Sequence, residues 1–301
     1  MTDTTPTPST CRDGTARRRT SRKIVFVSAS LVGAALVATG IGLTTTGRVS
    51  LPAAIAQQAA DGYRAPSPGF VAELPAAVYD AVLPGLVPWT EPSADAITRT
   101  ATITADVPLY GEDRDEPVGR LLAEDFLDNP TTVVPVATDG LWTLVLTPAR
   151  VQLPSKAGDD APAQSAGWVR TDVLEDGVAL DSKVAVSESE QTLTVTRGDQ
   201  SVVYDVGVGT AEAPTPIGVT GYLQARYLDP SQGQSTYPIQ LTSLHSTAAD
   251  EPYQGDDGGL IGAHYSNAAA GSVSHGCIRL THAAAAALNQ LPLGTPITIS
   301  A

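Results

Sequence analysis

The chain has 301 residues, a formal net charge of −14, 42% hydrophobic residues, 23 Pro and 27 Gly, which suits a globular body of one or two domains with many turns. Seven of the 18 Lys/Arg but only two of the 32 Asp/Glu fall in residues 1–48, so 11 basic residues face 30 acidic ones over the rest, a charge of −19. A surface this acidic repels nucleic acid and anionic lipid over about 8–10 Å at physiological salt, which excludes nucleic acid as a partner and favours amine-bearing ones.

The first element is an uncharged run at 24–43, IVFVSASLVGAALVATGIGL, preceded by Arg17, Arg18, Arg19, Arg22 and Lys23. It is long enough to cross a bilayer as a helix. The basic flank predicts a cytoplasmic tail at residues 1–23, a signal anchor at 24–43, and a single-pass protein of the cell membrane with its body outside, facing the wall. A cleaved signal peptide competes, with small residues at Ala54 and Ala56, but these lie far beyond the run, so an uncleaved anchor is expected. Cys11 and Cys277 then sit on opposite sides of the membrane and cannot pair. Cys277 is left as a lone thiol in an exported domain: a bridge to another chain, a reactive group, or an inert buried one.

Residues 44–99 carry Pro52, Pro66, Pro68, Pro75, Pro84, Pro88 and Pro92, which leaves little room for long helices or central strands and predicts a semi-rigid Pro/Ala-rich linker. From residue 100 short apolar segments alternate with turns: ATITADVPLY, PTTVVPVA, LWTLVL and GWVRTDVL. That is the signal of strands. With Val107-Pro108-Leu109-Tyr110 early, Trp142 central and Gly167-Trp168-Val169 last, residues 100–176 resemble a bacterial SH3-like β-barrel.

A second alternating unit opens at Lys183 and turns at Gly198-Asp199 between two strands. After the Pro214-Thr215-Pro216-Ile217-Gly218 turn come further strands, then one short helix in THAAAAALNQ, capped by Thr281 and stopped by Pro292 and Gly294. Ile297-Thr298-Ile299 closes the chain as a strand. The predicted fold class is mainly β.

The chemistry concentrates in two stretches, Ile261-Gly262-Ala263-His264-Tyr265-Ser266 and Gly271-Ser272-Val273-Ser274-His275-Gly276-Cys277-Ile278-Arg279-Leu280. A thiol needs a neighbouring base or positive field to act as a nucleophile near neutral pH. The stretch from His264 to Cys277 is long enough for a strand end, a loop and a return, so the two can meet at one sheet edge. Gly276 frees backbone N–H groups to face a developing oxyanion. Arg279 can stabilise the thiolate or hold a carboxylate, and equally could be an ordinary surface ion-pair partner.

The SHGCIRL motif resembles the signature of the L,D-transpeptidase, or YkuD-type, catalytic domain. The resemblance extends over residues 183–301, through the opening strand, the PTPIG turn, Ser243-Leu244-His245-Ser246, a G-x-H before the signature, and the closing helix and strand. It implies a β-sandwich with a small helix, Cys277 as nucleophile, and His264 as general base oriented by the adjacent backbone carbonyl. It further implies Gly276 and Cys277 amides in the oxyanion hole, with Ser274, His275 and Arg279 shaping the site. Peptidoglycan stem peptides are the implied substrates: a tetrapeptide stem acylates the cysteine with loss of terminal D-alanine, and an amine of a neighbouring stem attacks the thioester. Covalent inhibition by carbapenems is implied as well, and no cofactor. Two departures stand out: Tyr265 follows the base where the family usually has Gly, and the loop to the cysteine is slightly short. Tyr265 is expected to narrow the substrate cleft or touch substrate, and His245 to line or support it.

Rival readings are weaker. All four histidines, His245, His264, His275 and His282, lie toward the end of the chain near Cys277, but His275-x-Cys277 is not a usual zinc spacing and no metal is expected. Papain-like enzymes place the cysteine before the histidine, the reverse of the order here. A non-catalytic wall-binding protein need not keep an intact thiol and base. An L,D-carboxypeptidase, which would hydrolyse the same acyl-enzyme, stays open. Residues 183–301 alone are expected to hold the chemistry.

Overall fold

In the computed structural model, which describes residues 62–157, 161–248 and 259–301, the alternating apolar segments become two main sheets. Both sheets belong to a single compact unit, within which each forms a lobe. The anchor expected at residues 24–43 lies outside the described residues, as does Cys11. Among the described residues no helix is long and apolar enough to cross a membrane.

The first lobe contains α1 (Pro68–Glu73), β1 (Val87–Pro88), β2 (Arg99–Thr102), β3 (Val107–Tyr110), β4 (Pro117–Leu121), β5 (Val134–Asp139), β6 (Trp142–Thr147), α2 (Pro154–Ala157), β7 (Ser165–Arg170) and β8 (Glu175–Ala179). Its main sheet runs β4-β3-β7-β6-β5, with β1 on β7, and β2 pairs β8 separately. Every pairing in the main sheet is antiparallel. Trp168 and Tyr110 are buried in its core, and the Arg114 guanidinium lies 3.8 Å from the Trp168 ring centre.

The expected linker differs from what is found. From residue 62 onward it is packed into this lobe: Leu83 and Leu86 are buried with Leu109, Val145 and Val169, Ala77 N–H donates to Arg120 O at 2.8 Å, and Leu83 N–H to Arg150 O at 2.8 Å. Tyr63 meets Trp142 edge to face at 5.4 Å. The prolines do cut this stretch into short pieces, but the apolar residues between them bury enough surface to hold each piece against the sheet. Pro88 sits in the very short β1, on one side of a strand, where a missing N–H is tolerated.

The second lobe holds β9 (Ser182–Ser187), β10 (Thr192–Arg197), β11 (Gln200–Gly209), β12 (Val219–Asp229), β13 (Gln234–His245), β14 (Leu260–Tyr265), β15 (Gly271–Ser274), β16 (Ile278–Leu280), α3 (His282–Leu288) and β17 (Pro296–Ser300). The strand order is β10-β9-β17-β12-β13-β14-β16-β11-β15, and β10 also pairs β11, so the ladder returns on itself. The β10–β11 hairpin turns at Gly198, whose φ of 57° is available to glycine at little cost. Val184, Leu193, Val208, Leu223, Leu244 and Ile278 are among the side chains that fill the interior. Thr281 caps α3 as expected, its Oγ1 accepting from Ala284 N–H at 3.2 Å. The fold is therefore mainly β with few helices.

The two lobes share a buried seam. Tyr222 of β12 is 2% exposed and joins the core of the first lobe with Trp168, Tyr110 and Leu146. Ser243 Oγ donates to Gln164 Oε1 at 2.6 Å, and His245 N–H to Ala163 O at 2.8 Å. Arg150, itself buried, donates from Nη1 to Ser246 O and from Nη2 to Gly259 O at 3.1 and 3.3 Å.

His245 lies in this seam, 1% exposed, with Nε2 2.7 Å from Pro148 O. A carbonyl only accepts, so Nε2 carries the proton and Nδ1 is a bare acceptor. Burial, and then the Arg150 charge, push its pKa from 6.5 down to about 3. The unfolded chain therefore binds this proton first. The contribution to stability is intact above about pH 6.5 and falls by up to about 1.4 kcal/mol per unit as pH drops toward 3. Urea unfolding should show about 2 kcal/mol of acid loss from this residue between pH 7.5 and 5, absent in His245→Gln. Equal losses in both proteins would assign the acid lability elsewhere.

Candidate active site

A parallel strand pairing places the two key side chains. β14 and β16 run side by side with Ala263 opposite Ile278 and His264 opposite Arg279. One step back along both strands puts Cys277 opposite Gly262. Ile261, Ala263 and Tyr265 contribute to the interior, so by the alternation of a strand Gly262 and His264 face the other side. A Cβ built on Gly262 would lie 4.0 Å from Cys277 Sγ, which puts the sulfur over that same face. Cys277 and His264 thus share one face of the sheet, at adjacent strand positions.

The loop carrying the cysteine is fixed from below. Gly276 has φ of 95°, and a Cβ there would meet Ile261 Cδ1 at 3.0 Å and Pro214 O at 3.1 Å, so only glycine fits without displacement. Thr215, 1% exposed, donates from Oγ1 to Gly276 O at 2.8 Å and accepts from Gly209 N–H at 2.9 Å. Ser274, also buried, donates its hydroxyl to Cys277 O, while its own carbonyl accepts from Thr210 N–H at 3.0 Å. The chain on both sides of the thiol is held by side chains from the PTPIG turn and from the signature itself.

His264 is partly buried, with Nδ1 3.2 Å from Tyr265 O and 3.2 Å from Gln234 Nε2. Gln234 Nε2 donates to the same Tyr265 O at 3.0 Å, and with Nδ1 protonated its approach to Nδ1 is a contact between two donors and not a hydrogen bond. With Nδ1–H donating to that carbonyl, Nε2 is the lone-pair nitrogen. Burial and then the neighbouring Arg279 charge hold the His264 pKa below its ordinary value, against the Tyr265 carbonyl, which raises it. At neutral pH the ring is therefore a free base. Gln234 was not legible as a site residue; nothing in LDPSQGQS marks it, and only the pairing of Asp229 with Gln234 across the β12–β13 turn brings it to β14.

The remaining expected residues divide. Arg279 is half-buried on β16 beside His264. Tyr265 turns away from the thiol: its ring lies 4.2 Å from that of His282 and 5.6 Å from that of Tyr237, and its hydroxyl donates to Asn267 Oδ1 at 2.6 Å. The expected cleft contact is replaced by packing, because the residue after His264 must point to the opposite face. Its carbonyl is the part that touches the base. His275 is exposed. His245 lies in the seam between the lobes, in the wall of a cavity that it shares with Tyr227.

The L,D-transpeptidase catalytic-domain family, YkuD, matches residues 181–299. Those residues form an L,D-transpeptidase catalytic domain. No curated protein matches the chain. Solved structures with some likeness include L,D-transpeptidase 3 from Mycobacterium tuberculosis, 15% identical over 53% of this chain and 92% of that chain with a TM-score of 0.32. An L,D-transpeptidase from Mycobacterium smegmatis is 15% identical over 53% and 91%, with a TM-score of 0.31. The Mycobacterium tuberculosis enzyme has also been seen with a faropenem-derived adduct, at 15% identity over 53% and 91% with a TM-score of 0.33. The L,D-transpeptidase assignment rests on the family match, whose C-terminal half contains Cys277 and His264.

Proposed function

We propose that the chain is a peptidoglycan L,D-transpeptidase that works through a Cys277 thioester. The observation that carries this reading is the shared face of Cys277 and His264, with His264 Nδ1 tied to Tyr265 O. His264 Nε2 takes the thiol proton. The thiolate attacks the carbonyl before the terminal D-alanine of a donor stem, and the proton passes to the departing amine, leaving the stem on sulfur. The Gly276 and Cys277 amides hold the oxyanion, on a loop that Thr215 and Ser274 keep in place. An amine of a second stem then attacks the thioester, the C–S bond breaks, and the amine's proton returns to sulfur by way of His264. The first lobe acts as an SH3-like module, and the apolar run at 24–43 holds the enzyme at the outer face of the cell membrane.

Incubation with disaccharide tetrapeptides tests the reading: cross-linked dimer with one D-alanine released per link is expected. Tripeptide products alone would make the protein an L,D-carboxypeptidase, and no thiol-dependent product would sink both.

Arg279 gives a second test. Its charge lowers the His264 pKa, so in Arg279→Ala the pKa rises and the acid limb of the acylation profile moves to higher pH. A limb that stays where it is would mean that Arg279 does not face the base.

A further inference from the structure

Between the two lobes lies a cavity of about 560 Å³ whose wall includes Tyr79, Asp80, Phe126 and Arg150 from the first lobe and Tyr227 and His245 from the second. Its rings touch in sequence: Tyr79 meets Phe126 at 5.2 Å and Phe126 meets Tyr227 at 5.9 Å, both edge to face. Tyr79 and Phe126 are 41% and 39% exposed, which is unusual for two adjacent large rings.

One wall of this cavity leads toward the thiol across the sheet face. Tyr227 pairs with Ile239 across β12 and β13, and Ile239 Cγ2 lies 3.4 Å from the point over Gly262 that is 4.0 Å from Cys277 Sγ. Tyr227, Ile239 and Cys277 therefore follow one another across a single face. The Tyr227 phenol is accordingly pushed up by burial, then by Asp229, Tyr79 and Cys277.

The ring faces and the charges beside them describe what the cavity would hold. Asp80 stands in the cavity wall and Asp229 acts on Tyr227, while the buried Arg150 directs two of its nitrogens to the Ser246 and Gly259 carbonyls. Aromatic faces beside carboxylates favour a cation.

We infer that this cavity is the acceptor subsite, taking the amine-bearing arm of a second stem peptide. The ammonium lies against Tyr227 on the face shared with Cys277, and the aliphatic part of the arm packs on Phe126 and Tyr79. The inference rests on the transpeptidase reading and adds that residues outside the catalytic domain select the acceptor.

The experiment uses the full chain, a disaccharide tetrapeptide donor and Nα-acetyl-L-lysine amide as amine probe. Phe126→Ala and Tyr79→Ala, both at exposed positions, should leave Cys277 acylation by a carbapenem within twofold of wild type. They should reduce capture of the acyl group by the amine, relative to its loss to water, about tenfold. Tyr227→Phe should keep capture and Tyr227→Leu should lose it. If Phe126→Ala and Tyr79→Ala partition as wild type does, or if acylation falls in parallel with capture, the cavity is not an acceptor subsite. Should the wild type fail to be acylated at all, the transpeptidase reading falls instead. The cavity is then tested by NMR shifts of the amine probe on Cys277→Ser, and absence of binding that is sensitive to Phe126 overturns it.

Discussion

Cys277→Ala should form no covalent adduct with a carbapenem, whereas the wild type should gain one adduct per chain and Cys11→Ala should behave normally. The thiol over Gly262 shares a face with a histidine kept neutral at pH 7. His264→Ala should slow acylation by about 10² to 10⁴, the range for general-base assistance. The effect is expected in the rate and not in the fold, because His264 is outside the interior formed by Ile261 and Ala263. His275 is exposed, and His275→Ala should cost far less. Fast acylation in His264→Ala with none in His275→Ala would transfer the base to the signature histidine. Cross-link formation by Cys277→Ala would end the thioester mechanism. Intact-protein mass spectrometry over a time course gives both rates in one measurement.

Residues 183–301 expressed alone should fail to fold stably and should acylate poorly. The sequence suggests a separable catalytic unit, but the seam argues against it. Removing the first lobe exposes Tyr222, whose burial alone is worth about 2–3 kcal/mol. It also strips partners from His245, Ser243 and the Ser246 carbonyl, at about 1 kcal/mol or more each. Losses of that size reach the lower end of the whole stability of an ordinary domain, about 5–15 kcal/mol. Circular dichroism and urea unfolding of the truncated chain, beside carbapenem acylation, decide the matter. A monomeric, cooperatively folded fragment acylated at the full-length rate would show that the seam is dispensable.

What could be read without the structure was the part written in contiguous residues. Alternation gave the β10–β11 hairpin and its turn at Gly198, a capping threonine gave α3, and SHGC with a histidine a short loop earlier marked Cys277 and His264, which lie on one face of the sheet. What could not be read depends on pairings distant in sequence. Thr215 was visible only as part of a turn, and its hold on Gly276 follows from β11 and β16 being neighbours. Gln234 reaches His264 across a hairpin turn and a second strand pairing. Tyr265 was assigned to the cleft because it follows the base, yet the alternation of a strand sends it to the other face. The residues between 62 and 99 were judged by their prolines, when Leu83, Leu86 and Ile97 decide where the segment lies.

The return of the ladder through β10 and β11 has a consequence for how a peptide can be held. A strand border that is already paired offers no free N–H and C=O groups to an incoming chain, so an extended ligand cannot join as one more strand. Among the described residues, β15 lies outside the ring, a short strand with a register shift against β11. A stem peptide that mixes L and D residues is itself poorly suited to a regular ladder, since alternate side chains no longer keep to alternate faces. On the proposed function, recognition of a stem then falls to its end groups and side arms, and an ordinary extended polypeptide finds no ladder to join along the closed part of the sheet.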